Sequence, residues 1–492
     1  MRNTEQLPGV SAMGVYVPPF RVRLEEWCAW TGNDWSKVQH VVGRSFRVPG
    51  PHENVYTMAA NAVLRLLRQN EIDPRQIGFL GLGTESSTDN AAGAVIVRGM
   101  VDQALGRMGL PKLSRNLEVP EFKHACLGGI YALKAASRYV ALDGGGRAAI
   151  VVSADIAEYE RGSSGEQTQG AGAVAMLVEQ TPRLFGVDLS RTGSASDYRG
   201  VDFRKPIGRH FIDGYAPRTQ RLHDFPIFNG KYSVQSYLDE TAEAFDEMVA
   251  RLNTTPIRVF NDMRAIFFHR PYHLMAVQGL AFLYVRALAH MDGARAELHD
   301  LCAEAGVEID DVLREATSPS GLQPGAGTGV GSEDVARATN AAASLLRKRA
   351  HFQQLLRDKM GLGSNAMRDL GNLYAAALPA WLAAALEEAV ESGCLAAGAQ
   401  MLAVGYGSGD AAEAIPLRLA SGWESAASKI GIADALGKPL DLDQELYEEL
   451  HDRRRIPDAL YVPRDEFAIA RVGTLYRSDF QDLGIEYYEY VA

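Results

Sequence analysis

The chain has 492 residues, 47% of them hydrophobic and 23% charged, with a formal net charge of −11. That length exceeds one ordinary core, so two domains or one large pseudo-symmetric one are expected, with the composition of a globular enzyme. The negative balance argues against broad nucleic-acid or anionic-membrane binding, and no run reaches the roughly 18 apolar residues a membrane helix needs.

Val10 to Val17 is a short β-type run closed by Pro18 and Pro19. From Val55 the apolar residues Met58, Ala59, Ala62, Val63, Leu66 and Leu67 keep helical spacing, with Asn54 placed to cap the helix. Ile77 to Gly83 is almost wholly apolar, as expected of a central strand covered on both faces, and it delivers Thr84, Glu85 and Ser86 at its carboxyl end. A helix over about Ala91 to Met108 leads to a strand over Asn116 to Phe122. A helix from Ile130 to Leu142 follows, then strands at Arg147 to Ser153 and Gly170 to Val178. Strand and helix alternate, so this part is α/β.

Residues 190–228 are polar and loop-rich. Met263 to Phe268 resumes buried strand character and presents His269, Arg270, Pro271, Tyr272 and His273, with an apolar helix from about Leu274 to Met291. The region near 292–363 is charged and helical, broken by a connector at Ser318 to Gly331 whose glycines match no phosphate loop. Gly371 to Tyr374 opens an apolar helix running to about Val390, and a strand from Met401 to Gly405 ends in Tyr406, Gly407, Ser408, Gly409 and Asp410.

One cysteine stands at a join. Cys126 falls between the Asn116 to Phe122 strand and the helix after it, where unpaired N–H groups and the helix dipole favour a thiolate and lower a thiol pKa from its usual value of about 8.5. A buried structural cysteine packing as a small hydrophobe is the alternative. Gly128 and Gly129 let another backbone or a substrate come close. The other cysteines, Cys28, Cys302 and Cys394, form no CxxC or Cys/His cluster, so neither a disulfide framework nor a zinc site is suggested. The N-terminus carries no charged-then-apolar leader, and the chain reads as cytoplasmic.

Polar residues thus stand at four strand or helix ends, Glu85, Cys126, His269 and Asn372, with a tight glycine turn at Ser408. Ligands of α/β sheets collect at the carboxyl ends of strands, and a cysteine with a distant histidine and asparagine can be an acyl-transfer set. Each also has a plainer reading: Glu85 as a cap or surface carboxylate, His269 as a satisfied histidine, Asn372 as a helix N-cap.

The segments GTESSTD at 83–89, HACLGG at 124–129, SADIAEYERGSSGEQTQGAGAVAMLV at 153–178, FHRPY at 268–272, GNLY at 371–374 and GYGSG at 405–409 together resemble the 3-hydroxy-3-methylglutaryl-CoA synthase family of thiolase-fold condensing enzymes. The resemblance implies an α/β, thiolase-type fold: two pseudo-symmetric βαβ-rich halves in a five-layered αβαβα sandwich. It would divide the chain into 1–190, carrying Glu85 and Cys126; 191–262, an excursion and connecting helix; and 263–492, carrying His269, Asn372 and Ser408, with an insertion near 292–363. It makes Cys126 the nucleophile and Glu85 the general acid/base. His269 and Asn372 would hold the acceptor ketone, and the N–H groups of Cys126 and Ser408 would form an oxyanion hole. Acetyl-CoA and acetoacetyl-CoA would be substrates, with no metal or redox cofactor, and the enzyme would be a homodimer. Members that use coenzyme A commonly carry lysines shortly after the histidine, where this chain has Leu274, Val277 and Gln278. The same chemistry on acyl-carrier-protein substrates, as in polyketide β-branching, is therefore the alternative. Further rivals are a simpler Cys-His-Asn ketoacyl synthase, which has no use for Glu85, and a non-catalytic thiolase-fold binding subunit.

Overall fold

The structure, a computed structural model, describes residues 7–90, 93–200, 202–205, 225–227, 229–291, 293, 295–317, 322, 335–437 and 439–492. Its main sheet is built from β1 (Gly9–Tyr16), β4 (Ile77–Gly83), β5 (Glu121–Phe122), β6 (Ala148–Ala157), β7 (Gly170–Glu179), β8 (Phe185–Val187), β9 (Gly193–Ser196), β10 (Ala265–Phe268), β11 (Gln400–Gly407) and β12 (Ala411–Leu419). The strand order is β10-β11-β12-β8-β1-β7-β6-β4-β5, with β9 on β12. A small sheet of β2 (Phe20–Arg23), β3 (Ser45–Val48) and β13 (Leu440–Asp441) and a hairpin of β14 (Glu466–Val472) and β15 (Glu486–Val491) complete the strands.

Side-chain alternation explains why the large sheet is covered on both faces. Along β7, Val174, Met176 and Val178 enter one core while Ala171, Ala173, Ala175 and Leu177 enter another. Both sets are apolar, as a strand buried on two sides requires. The helices Val55–Gln69 and Gly93–Arg107 pack on one face of the β1, β7, β6 and β4 strands. Helices Gly128–Leu142 and Ala377–Ser392 pack on the other. Beyond them lie β10, β11 and β12, covered in turn by helices Gly230–Leu252 and His273–Ala289. Counted across, this is a five-layered αβαβα sandwich.

Local chemistry set the clearest boundaries. The Asn54 side chain accepts from the N–H groups of Tyr56 and Thr57 and so starts the Val55–Gln69 helix. The strand expected over 116–122 shrinks to Glu121–Phe122 at the edge of the sheet: Glu118 still bridges Phe79 on β4, but Pro120 has no N–H to donate and interrupts the ladder between them. The insertion near 292–363 is helical at Arg295–Ala305, Ile309–Thr317, Arg337–Leu346 and Ala350–Met360. The connector expected at 318–331, Leu322 apart, and nearly all of the excursion near 205–228 lie outside the described residues; the excursion's ends meet in an Arg204–Ile227 bridge.

Strands β4, β5 and β6 are mutually parallel, as are β10 and β11, so each set puts its carboxyl ends on one edge. Glycines bring those ends together. A Cβ on Gly83 would overlap the backbone of Gly129, and one on Gly129 would overlap Ser153. A Cβ on Gly407 would stand 2.6 Å from the His124 carbonyl. Substituting Gly83→Ala must therefore push β4 off the Gly128–Leu142 helix, where overpacking typically costs about 1–3 kcal/mol. A lower urea midpoint than that of the unsubstituted protein is expected; an unchanged midpoint would show that the contact yields freely.

Candidate active site

A cavity of about 260 Å³ opens at these strand ends and is lined by Cys126, His269, Asn372 and Ser408, together with Tyr159 and Phe203. Four of the five residues singled out in the sequence thus face one space. Glu85 does not line it, but its Oε2 lies 3.5 Å from the Cys126 Sγ, within reach of the thiol proton.

The helix expected from Ile130 starts two residues earlier, at Gly128, and Ala125, just before the cysteine, takes a positive φ of 43°. Cys126 is 8% exposed, packed with Ala157, Tyr159 and Tyr374. Burial and the neighbouring Glu85 and Asp155 carboxylates push its thiol well above the usual range. This corrects the expectation of a dipole-stabilised thiolate: desolvation and two acids outweigh the end of a helix that begins two residues later.

Asp155 lies at the centre of the site. Its Oδ1 accepts from Thr84 Oγ1 at 2.8 Å, the Glu85 N–H at 2.9 Å, the Ser86 N–H at 3.0 Å and Ser86 Oγ at 2.7 Å. Its Oδ2 accepts from the Ala375 N–H at 2.8 Å. One carboxyl thereby fixes the loop bearing Glu85 and the turn following Asn372. Burial raises the Asp155 pKa despite these donors, and burial with the Asp155 charge raises that of Glu85. Asp155 keeps the donors that stabilise its anion, so Glu85 is the member poised to gain and lose a proton. Part of the Glu85 surface stays accessible, so the carboxyl is crowded rather than sealed.

His269 is pushed down to about 3 by burial and is a neutral imidazole at physiological pH. Its backbone is held at both ends: its N–H donates to the Val404 carbonyl at 2.7 Å, and its carbonyl accepts from Tyr237 OH at 3.0 Å. Asn372 joins its two readings, because its Oδ1 accepts from the Tyr374 N–H at 2.9 Å as a turn cap while the residue lines the cavity. Gly371 makes this possible: it has a φ of 77° and bridges to Gly170 so closely that a Cβ on either would strike the other strand's backbone. Behind Ser408, Tyr406 OH donates to Asp202 at 2.7 Å and to Asp410 at 3.2 Å, and stretch 197–199 hydrogen-bonds the 409–410 backbone.

Sequence reasoning missed Asp155, Tyr159, Tyr374, Tyr406 and Asp202. Only Asp155 left a local sign, a carboxylate inside an otherwise apolar strand.

The arrangement presents a thiol beside an acid/base carboxyl, a neutral histidine and an amide around one enclosed space. A family model, "Hydroxymethylglutaryl-coenzyme A synthase N terminal", matches residues 5–182. The hydroxymethylglutaryl-CoA synthase of Haloferax volcanii is 28% identical over 452 residues, covering 90% of this chain and 91% of that protein. A solved structure of MvaS in complex with 3-hydroxy-3-methylglutaryl coenzyme A matches with a TM-score of 0.76 at 24% identity, covering 99% and 100%. The curacin biosynthetic pathway HMG synthase in complex with acetyl donor-ACP matches with a TM-score of 0.69 at 19% identity, over the same shares.

The raised Cys126 thiol has a direct consequence. Iodoacetamide at neutral pH should label exposed Cys394 well before Cys126, with Cys126 labelling rising steeply only into the alkaline range, as read by peptide mapping. Fast Cys126 labelling with no pH dependence near neutrality would mean a thiolate and contradict the dominance of burial.

Proposed function

The chain belongs to the hydroxymethylglutaryl-CoA synthase family, and from that premise we propose that it joins an acetyl group carried on Cys126 to acetoacetyl-CoA, giving 3-hydroxy-3-methylglutaryl-CoA and free CoA. It is an acyltransferase that forms a carbon–carbon bond. The observation that carries the residue assignment is the 3.5 Å contact between Cys126 Sγ and Glu85 Oε2 at the edge of the cavity holding His269 and Asn372.

In the first step the Glu85 carboxylate takes the thiol proton as sulfur attacks the acetyl-CoA carbonyl. The N–H groups of Cys126 and Ser408 receive the oxyanion, and CoA leaves as its thiol by taking that proton from Glu85, which is a carboxylate again. Because the resting thiol holds its proton firmly, a base in contact is needed, and Glu85 is the carboxyl in contact. In the second step Glu85 removes a proton from the acetyl methyl, and the carbanion attacks the acceptor ketone. A neutral His269 donates one ring N–H to that oxygen and the Asn372 amide another; a donor of this kind typically contributes about a hundred- to a thousandfold in rate. Glu85 then returns its proton to the alkoxide, and water cleaves the Cys126 thioester. A carboxyl whose pKa is raised towards the working pH suits both directions of transfer.

Every proton and electron pair in this sequence is placed by the chain's own groups, and we propose that no metal or redox cofactor takes part. We favour coenzyme A over a carrier protein because relatives aligned over 90% or more of their own length, such as that of Haloferax volcanii, bear the name hydroxymethylglutaryl-CoA synthase. A cytoplasmic homodimer is the setting we propose; among the described residues no helix is long and apolar enough to cross a membrane.

Intact mass after mixing with acetyl-CoA should rise by one acetyl group, and Cys126→Ala should abolish the gain. Glu85→Ala should lose condensation by about a hundredfold or more. Should Glu85→Ala condense as well as the unsubstituted enzyme, a Cys-His-Asn ketoacyl synthase mechanism would replace this one.

The pH dependence has a fixed sign. Condensation needs the Glu85 carboxylate, whose pKa is raised, so the rate should climb with pH through a limb lying above the ordinary carboxylate range. Asp155→Asn removes one of the two causes of that shift and should move the limb to lower pH. A limb that stays in place on this substitution would show that burial alone sets it.

A further inference from the structure

A second cavity, of about 670 Å³, adjoins the first: Gly230, Val234 and Tyr272 line both. The first holds the thiol and the second faces outward, so together they form a passage leading from the surface to Cys126. The outer cavity carries Lys231 and Arg347, and among the described residues lining it there is no carboxylate. In a chain with a net charge of −11, an opening of this kind is a local reversal of sign that focuses an anion.

The two cations come from separate segments. Lys231 is the second residue of the helix Gly230–Leu252. Arg347 ends the helix Arg337–Leu346, which packs on the His273–Ala289 helix and belongs to the charged insertion near 292–363. The Arg347 guanidinium donates to Ser344 Oγ at 3.1 Å and, among the described residues, forms no ion pair. Between them the wall is made of neutral amides: Asn340 donates to Gln235 at 2.9 Å, and the Gln278 Oε1 is buried without a partner among the described residues. Gln278 is one of the positions after His269 where a lysine would be expected and is missing. It faces the same cavity as Arg347.

We infer that Arg347, with Lys231, is the phosphate-recognition site of this enzyme, a cation supplied by the insertion taking over the role vacated at Leu274, Val277 and Gln278. The inference rests on the proposed thioester chemistry, since the ligand is the phosphate-bearing end of a pantetheine arm whose thioester reaches Cys126. That end is the diphosphate of coenzyme A or the single phosphodiester of a carrier-bound phosphopantetheine. Arg347 suits either, because a guanidinium presents paired N–H donors to phosphate oxygens. The Gln278 and Asn340 amides line the outer cavity beside Arg347, and Gly230, Val234 and Tyr272 line the path on to the thiol. The insertion is then a specificity element, and its removal would leave Lys231 but strip the passage of its guanidinium.

The test is direct binding, which needs no turnover. Coenzyme A, pantetheine and a holo acyl carrier protein are each titrated by calorimetry into the full-length protein and into Arg347→Gln and Arg347→Glu. The glutamine variant keeps the polar bulk, and far-ultraviolet circular dichroism checks that both variants fold. The ratio of pantetheine to coenzyme A dissociation constants should fall about tenfold in Arg347→Gln and further in Arg347→Glu, as expected when a single charge-assisted hydrogen bond to phosphate is removed. A fall for the carrier protein with none for coenzyme A would support the same site with a carrier-bound phosphate as its ligand. Equal weakening of all three ligands, or no change in either ratio, would overturn the inference. Failure of the thioester chemistry is seen separately, as absence of acetyl transfer to Cys126 from any donor.

Discussion

One buried carboxyl, Asp155, holds the site together. Five donors converge on it, from the loop after β4 and from the turn that carries Asn372, and these two segments lie more than two hundred residues apart in sequence. Burying a carboxylate is costly, and the raised Asp155 pKa shows that desolvation outweighs even this many donors. The cost has a return in geometry. The Glu85 and Ala375 N–H groups bond to this carboxyl, and losing a buried partner typically costs about 1–3 kcal/mol; the Ser86 N–H is shared between it and Thr84 Oγ1. The loop bearing Glu85 and the turn bearing Asn372 therefore have one satisfied arrangement, and it is the one that puts both groups around Cys126.

That arrangement needs backbones closer than side chains normally permit. Gly83 against Gly129, Gly170 against Gly371, and Gly407 against the His124 carbonyl are three contacts at which a Cβ would collide with main chain or a neighbouring side chain. They join β4 to the Gly128–Leu142 helix, β7 to the Asn372 turn, and the Ser408 turn to the Cys126 loop. The layers supply bulk stability from apolar area, whereas these glycine contacts set the registration among strand ends. A fold could keep its cores and still lose the site if any of the three opened.

What could be read from the sequence divides along the range of the interaction. The Val55–Gln69 helix starts where expected, and the Ile77–Gly83 strand matches both expected bounds, because an amphipathic stripe, a capping asparagine and an unbroken apolar run are local signals. The five candidate residues were legible through six short segments in a familiar order, and the structure brings them to one edge. The electrostatics were not legible. Whether Cys126 is thiol or thiolate depends on Tyr159, Tyr374, Glu85 and Asp155, none adjacent in sequence, and the local inference from a helix terminus pointed the wrong way. The edge strand was overextended for a different, local reason: Glu118 does bridge Phe79, but Pro120 lacks an N–H and breaks the ladder, so only Glu121 and Phe122 pair regularly with the end of β4.

The protonation states that burial imposes fit together as one design. The thiol holds its proton, the histidine is neutral, and Glu85 is lifted towards the pH at which it can exchange one. A permanently charged thiolate and imidazolium would have to be desolvated, and each would bind the other in preference to substrate. A neutral thiol and a neutral imidazole form no such pair. The working charge is that of the Glu85 carboxylate, and it passes to the reacting groups when Glu85 takes a proton from sulfur or from carbon, where N–H donors have already been placed by main-chain bonds and need not reorganise. The low-dielectric pocket that raises the thiol also strengthens the field of those donors, so the same burial that makes Cys126 a poor nucleophile at rest makes its reaction, once begun, the favoured course.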